Sequence, residues 1–317
     1  ERAPVYIVGR VTDDNRFTIH SEKSNLSCID LDLSHFFGSS PQTILKDKSI
    51  SKKYSNIKYS NVLIHNYIEQ IFSLESGGCK DWLTNKVDRC VGGKVAKQQC
   101  VGELQLPLNN CGVMALDYST KHGVATSIGH SPVSALIDPN AGSKNSIAEA
   151  LTNIIWAPIE NGLKGVSLSA NWMWPCKNEG EDARLYKAVE SVSKFAIELG
   201  INIPTGKDSL SMNQKYENLE VKSPGTVIVS ATAHCNNISN IIEPVFKLDQ
   251  GSIFYINLSS DDFKLGGSAF SQIIGSIGNN TPTIKDSKYF VNIFETIQKM
   301  IKNDLILDNS LLIGVLK

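Results

Sequence analysis

Ile147-Ala148-Glu149-Ala150-Leu151-Thr152-Asn153-Ile154-Ile155 opens the stretch that decides the fold, and it reads as one helix. Ile147, Leu151, Ile154 and Ile155 fall at i, i+4, i+7 and i+8, an apolar stripe expected to pack on a sheet. Glu149 and Asn153 are four apart, so they are neighbours on one face, roughly opposite that stripe. Two readings of the pair stay open. One is an ordinary wet helix face. The other is a carboxylate and an amide acting as hard oxygen ligands, suited to Mg²⁺ shared with a phosphate.

Downstream, Trp156-Ala157-Pro158 stops the helix. Residues 165–171 read as a strand, and Trp172 and Trp174 behind it are either packing bulk or a base-stacking pair. Residues 183–199 form an amphipathic helix through Leu185, Val189, Val192, Phe195, Ala196 and Leu199, with Gly200 as its C-terminal cap. Thr205-Gly206-Lys207-Asp208-Ser209 has the look of a Walker loop and fails the test. Gly200 stands six residues before Gly206, one too many, and Asp208 follows the lysine where Ser or Thr is needed. A charged turn, or a loop whose Lys207 neutralises a phosphate, remains. Residues 223–233 hold a strongly β strand expected to close the first sheet. A new unit is expected from about Ile241, with a strand at 252–258, a helix starting at Gly266-Gly267, and another over 289–302 striped by Phe290, Ile293, Ile297 and Ile301.

Upstream, residues 5–11 and 16–19 are expected to form a hairpin about Asp13-Asp14-Asn15, followed by a short extended piece at 29–33. Residues 42–74 read as a linker rich in Lys, Ser and Asn that ends in an amphipathic helix through Val62, Ile64, Tyr67, Ile68 and Ile71. Between 80 and 99, Gly92 and Gly93 lie beside Lys94 and Lys97; glycine backbones can approach a phosphate closely, though such pairs also build ordinary turns. Residues 104–116 read as two strand pieces meeting at Asn109-Asn110. Residues 123–129 read as another strand, with His130 ordering the turn beyond it.

Composition narrows the classes. A chain of 317 residues, 41% hydrophobic and 20% charged, is globular in character. A formal net charge of −1 supplies no field for nucleic acid or an anionic membrane, so neither is expected as a partner. Seven scattered cysteines form no C-x-x-C pair and no zinc-finger spacing, which points to reduced thiols and a cytoplasmic location. No apolar run reaches membrane-spanning length, and Glu1-Arg2-Ala3-Pro4 is no signal peptide. The missing initiator Met fits a chain cut from something longer.

Several motifs, in order, carry a resemblance: Glu1-Arg2-Ala3-Pro4, Asp30-Leu31, residues 80–89, Val91-Gly92-Gly93-Lys94-Val95-Ala96, Glu149-Ala150-Leu151-Thr152-Asn153 and Gly206-Lys207-Asp208-Ser209. The chain resembles an internal portion of the large, single-chain phosphoribosylformylglycinamidine synthases, ligases of de novo purine biosynthesis that use ATP and glutamine. The resemblance implies an α+β fold, an AIR-synthase-like mixed β-sheet with packed helices, followed by the start of a C-terminal α/β subdomain. It divides the chain into 1–41, the tail of a preceding synthetase unit; 42–100, linker and helix; 101–236, the AIR-synthase-like N-type domain; and 237–317, a partial C-type domain. It implies an auxiliary ADP/ATP and Mg²⁺ site that is not turned over, with Asn110, Glu149 and Asn153 on the metal and Asn109, Lys94, Lys97 and Lys207 on the nucleotide. No residue of this segment is expected to be catalytic, and the segment alone is expected to be inactive. Its partners would be the first synthetase half and the glutaminase domain, with self-pairing of the isolated segment as a further expectation. The other readings are a scaffold that binds no nucleotide and a small-molecule kinase of the same superfamily.

Two departures bear on that site. After Leu305-Ile306-Leu307 the family continues with a His-Asp and glycine-rich loop, which Asp308-Asn309-Ser310-Leu311-Leu312-Ile313-Gly314 does not reproduce. The position of Asn110 is usually an aspartate in the family. An amide keeps the oxygen ligand and removes a full negative charge from a divalent site. Asn110→Asp is therefore expected to bind Mg²⁺ more tightly than the parent chain in a direct titration; equal affinities would refute the assignment.

Overall fold

A computed structural model describes residues 3–24, 26–38, 44–84, 93–245, 251–260 and 263–306. The chain forms two compact units, 1–46 and 47–317. The first is built on an antiparallel pair, β1 (Arg16–His20) and β2 (Ser27–Asp32), in register from Arg16↔Asp32 to Ile19↔Ile29, followed by the short helix α1 (Ser34–Phe37). The hairpin is thus 16–20 with 27–32, and residues 5–11 are no strand. A cross-strand charge pair favours the observed choice: Arg16 meets Asp30 at 2.6 Å, and residues 5–11 offer no acidic partner. Phe17 packs edge-on against Phe36.

The second unit opens with α2 (Ile64–Ser73) and α3 (Asp81–Thr84), then β3 (Val95–Lys97), β4 (Cys111–Ala115) and β5 (Gly123–Gly129). Next come α4 (Pro132–Ile137), α5 (Pro139–Ile154), β6 (Val166–Met173), α6 (Glu181–Leu199) and β7 (Asn202–Ser209). A small antiparallel pair, β8 (Asn213–Lys215) and β9 (Glu220–Lys222), precedes β10 (Thr226–Cys235), and helices α7 (Ala269–Ile273) and α8 (Ser287–Lys302) follow. Six strands make one sheet in the order β3-β4-β5-β10-β6-β7. All its pairs are antiparallel except β6–β7, which are parallel and joined through α6. The fold is the mixed-sheet α+β class that the sequence implied. β10 lies at the centre of the sheet, not at its closing edge, because its alternating apolar residues Val227, Val229, Ala231 and Ala233 are needed where both neighbours can pair with them.

Helices cover one face of this sheet. α5 packs on β5 and β10 and against α6, and α8 packs on α6. It begins at Pro139 rather than Ile147, because Asp138 caps it through Asn140 N–H at 2.9 Å and Pro139 occupies the first turn. The stripe of Ile147, Leu151, Ile154 and Ile155 is buried as expected. The opposite face is not fully solvated: Asn153 is 3% exposed and Glu149 is half-buried. α8 sends Phe290, Phe294, Ile297 and Ile301 into the same core. Residues 252–258 are not a strand.

The segment 205–209 also differs from its reading as a turn. It lies inside β7, an edge strand, where Pro204 needs no inward donor; a Cβ at Gly206 would overlap the Ala170 carbonyl of β6. Trp174 is packing bulk: fully buried, with its indole N–H donating to Glu181 Oε2 at 3.1 Å. Glu181 also meets Lys52 at 2.7 Å and Arg184 at 3.4 Å. Asp47 adds a cap from far along the chain, accepting from the N–H groups of Gly180, Asp182 and Ala183 at the start of α6. Among the described residues no helix is long and apolar enough to cross a membrane. Glu181→Ala strips the buried indole of its acceptor and Arg184 of its counter-ion, so urea unfolding is expected to show a loss of about 3–5 kcal/mol.

Candidate functional site

A cavity of about 720 Å³ lies where the end of β5, the approach to β4 and one side of α5 meet the helix-free face of the sheet. Its floor follows from strand register. Gly112, Thr126, Thr232 and Ser167 stand in one row across β4, β5, β10 and β6; Ile128, Ser230, Ser169 and Thr205 stand in the next, across β5, β10, β6 and β7. Alternation puts Val113, Ala125, Val229, Ala231 and Leu168 on the helix side, which leaves Gly112, the hydroxylated residues and one large apolar side chain, Ile128, facing the cavity. The wall is made by Asn109 and Asn110 before β4, His130 after β5, and Glu149 and Asn153 of α5.

The wall residues are held in place. The His130 N–H donates to Glu149 Oε2 at 2.8 Å, and Asn153 Nδ2 donates to the Ile128 carbonyl at 2.9 Å. Asn109 Nδ2 donates to the Gln98 carbonyl at 2.6 Å, while Asn110 is exposed. The carbonyl oxygens of Asn153 and Asn109 are buried and have no hydrogen-bond partner. A buried acceptor without a donor is costly, and a cation would satisfy it. One carboxylate with neutral amide oxygens is an oxygen-only set of the kind Mg²⁺ accepts alongside water and phosphate. It is low in charge, and among the described residues no three His, Cys, Asp or Glu side chains gather at a metal-binding distance. The residues present fit a divalent cation such as Mg²⁺ whose remaining oxygen ligands come from elsewhere.

Asn109, Asn110, Glu149 and Asn153 therefore come together, and the lysines named with them stand elsewhere. Lys97 is 4% exposed and gives its ammonium to the Ile242 carbonyl; burial lowers its pKa. Lys94 donates to the Leu116 carbonyl at 2.5 Å and lies over the Tyr118 ring. Lys207 is exposed on β7 and donates to Ser209 Oγ at 2.9 Å. Among the described residues the cavity lining holds no lysine or arginine. Residues 85–92, with Gly92, and the departing tail 307–317 lie outside the described residues.

Comparison with known proteins bears on this geometry. Residues 79–234 match the FGAR-AT PurM_N-like domain. The match takes in 156 of the 317 residues, just under half of the chain. The chain is 37% identical over 308 residues to a probable phosphoribosylformylglycinamidine synthase of Caenorhabditis elegans, covering 96% of this chain and 23% of the relative. It is 34% identical over 320 residues to a probable chloroplastic/mitochondrial phosphoribosylformylglycinamidine synthase of Arabidopsis thaliana, with the same two coverages. The chain thus spans about a quarter of the length of the curated relatives it matches. A solved structure of PurLQS from Thermotoga maritima is similar at a TM-score of 0.48 and 12% identity, over 74% of this chain and 34% of that one.

The hydroxyl rows were not anticipated, yet Ser167/Ser169 and Ser230/Thr232 alternate with apolar residues and carry that signal in the sequence. Cys111 borders the cavity and is buried; desolvation raises its pKa to about 11 despite the nearby Lys97. A raised thiol pKa leaves only about 0.1% thiolate at pH 8. Iodoacetamide at that pH is expected to label the exposed Cys28 and Cys79 and spare Cys111 in the folded chain, read by peptide mass spectrometry.

Proposed function

We propose that this chain is the part of a phosphoribosylformylglycinamidine synthase that holds an adenine nucleotide, ADP or ATP, with Mg²⁺ in a site that is not turned over. The observation that carries the reading is a coincidence of two facts. Relatives of that name align along 96% of the chain, and Asn109, Asn110, Glu149 and Asn153 converge on one cavity. The whole enzyme would convert formylglycinamide ribonucleotide, ATP, glutamine and water to formylglycinamidine ribonucleotide, ADP, phosphate and glutamate. In that reaction the amide oxygen takes the phosphoryl group, and ammonia released from glutamine displaces it as phosphate. The isolated segment would not perform the reaction, since the first synthetase half and the glutaminase domain supply its chemistry.

Mg²⁺, when bound, would offset the negative charge of the nucleotide's phosphates. Glu149 would contribute the anionic oxygen, and Asn153 and Asn110 neutral ones. The hydroxyls of the floor would hydrogen-bond a ribose or its bound water. The helix-free face of the sheet would receive the other synthetase half, or a second copy when the segment is alone. Six free cysteines among the described residues accord with a reducing, cytoplasmic setting. A second reading has one observation in its favour: the lysines lie outside the lining, as a scaffold that binds no nucleotide would allow.

Thermal melting separates the two readings. ADP with Mg²⁺ at 100 times its dissociation constant stabilises a native site by about 2.7 kcal/mol, so the melting temperature is expected to rise. Millimolar ADP and Mg²⁺ that leave the melt unmoved would favour the scaffold. ATP turnover by the isolated chain would instead point to a small-molecule kinase.

A further inference from the structure

The backbone at Ile128, Gly129 and His130 meets α5 at the two side chains this helix contributes to the cavity. Asn153 Nδ2 donates to the Ile128 carbonyl, and the His130 N–H donates to Glu149 Oε2. A carbonyl accepts only from the nitrogen end of an amide, so the first contact fixes the orientation of Asn153 and leaves Oδ1 as its unpartnered, buried end. The second contact holds one carboxylate oxygen and with it the plane of the other. Gly129 lets the strand end come this close. A Cβ there would overlap the Ser146 carbonyl oxygen and the Ala150 nitrogen, and would stand 3.0 Å from Glu149 Cβ. Ser127 Oγ, two residues before Gly129, donates to the Ala150 carbonyl at 2.6 Å and docks the same turn.

We propose that the end of β5 together with the residue after it, 128–130, is a positioning element whose backbone orients Glu149 and Asn153 toward a divalent cation, with Gly129 making the approach possible. The proposal rests on the metal reading of the cavity given above. Residues 128–130 act through the two side chains, and partners of metal ligands govern affinity by fixing ligand geometry. A purely architectural role would move stability alone; an orienting role moves cation affinity as well.

The test uses the full 317-residue chain with Mn²⁺ as the probe, following free Mn²⁺ by electron paramagnetic resonance alongside the melting temperature. His130→Ala and His130→Pro both lack the imidazole, and only the proline also lacks the N–H. His130→Pro is expected to bind Mn²⁺ about 10- to 100-fold more weakly than His130→Ala. Asn153→Asp gives an independent reading. It adds negative charge, which alone would tighten Mn²⁺, but it sets a carboxylate against the Ile128 carbonyl; binding weaker than the parent's is expected. Equal affinity of the two His130 variants, or tighter binding by Asn153→Asp, would overturn the positioning role. A parent chain that takes up no Mn²⁺ at millimolar concentration would instead remove the metal reading on which the role depends.

Discussion

Helix α5 is largely enclosed by the sheet, by α6 and by the end of β5, so a buried polar group on it is costly to leave unpaired. Among the described residues Ser143 Oγ and Asn145 Oδ1 stay without a partner, and others find one. Ser146 and Thr152 return their hydroxyls to carbonyls one turn back, and Asn145 reaches the Pro282 carbonyl at 2.9 Å. Glu149 and Asn153 face the cavity, where their partners are backbone groups of β5 and one amide oxygen is left over. The helix that anchors the core also lines the cavity with Glu149 and Asn153.

The legible parts of the fold were those in which local pattern and tertiary need agree. The stripe through Ile147, Leu151 and Ile154 gave a helix, Gly200 adopts the left-handed conformation of a C-terminal cap at φ 70°, and 123–129 gave a strand. Where the two diverge, the local pattern misled. Residues 205–209 carry a turn's composition and are held in a strand by the parallel pairing of β7 with β6. Residues 5–11 carry a strand's composition without a ladder partner among the described residues. The polar face of α5 looked solvated because periodicity within one helix cannot show what packs over its far side.

At the site, the helical spacing of Glu149 and Asn153 and the Asn109-Asn110 pair were readable, and the structure gathers all four. Lysines were harder to place because a long, flexible cation can reach many acceptors. Here the acceptors are main-chain carbonyls and Ser209, which the sequence could not distinguish from phosphates. The floor depended on register. Two rows of hydroxyls exist only once β10 is set between β5 and β6, and no local signal predicts that insertion.

The placement of β10 also constrains how the chain can be made. β5 ends at Gly129 and its inner neighbour begins only at Thr226, so during synthesis one side of β5 stays unzipped while the intervening hundred or so residues emerge. At about 5–20 residues per second that gap lasts roughly 5–20 s. β6, whose neighbour on the same side is also β10, waits with it. For that interval Ala125, Leu168 and the stripe of α5 have no completed floor beneath them, and a nascent chain in this condition is a ready client for a ribosome-associated chaperone.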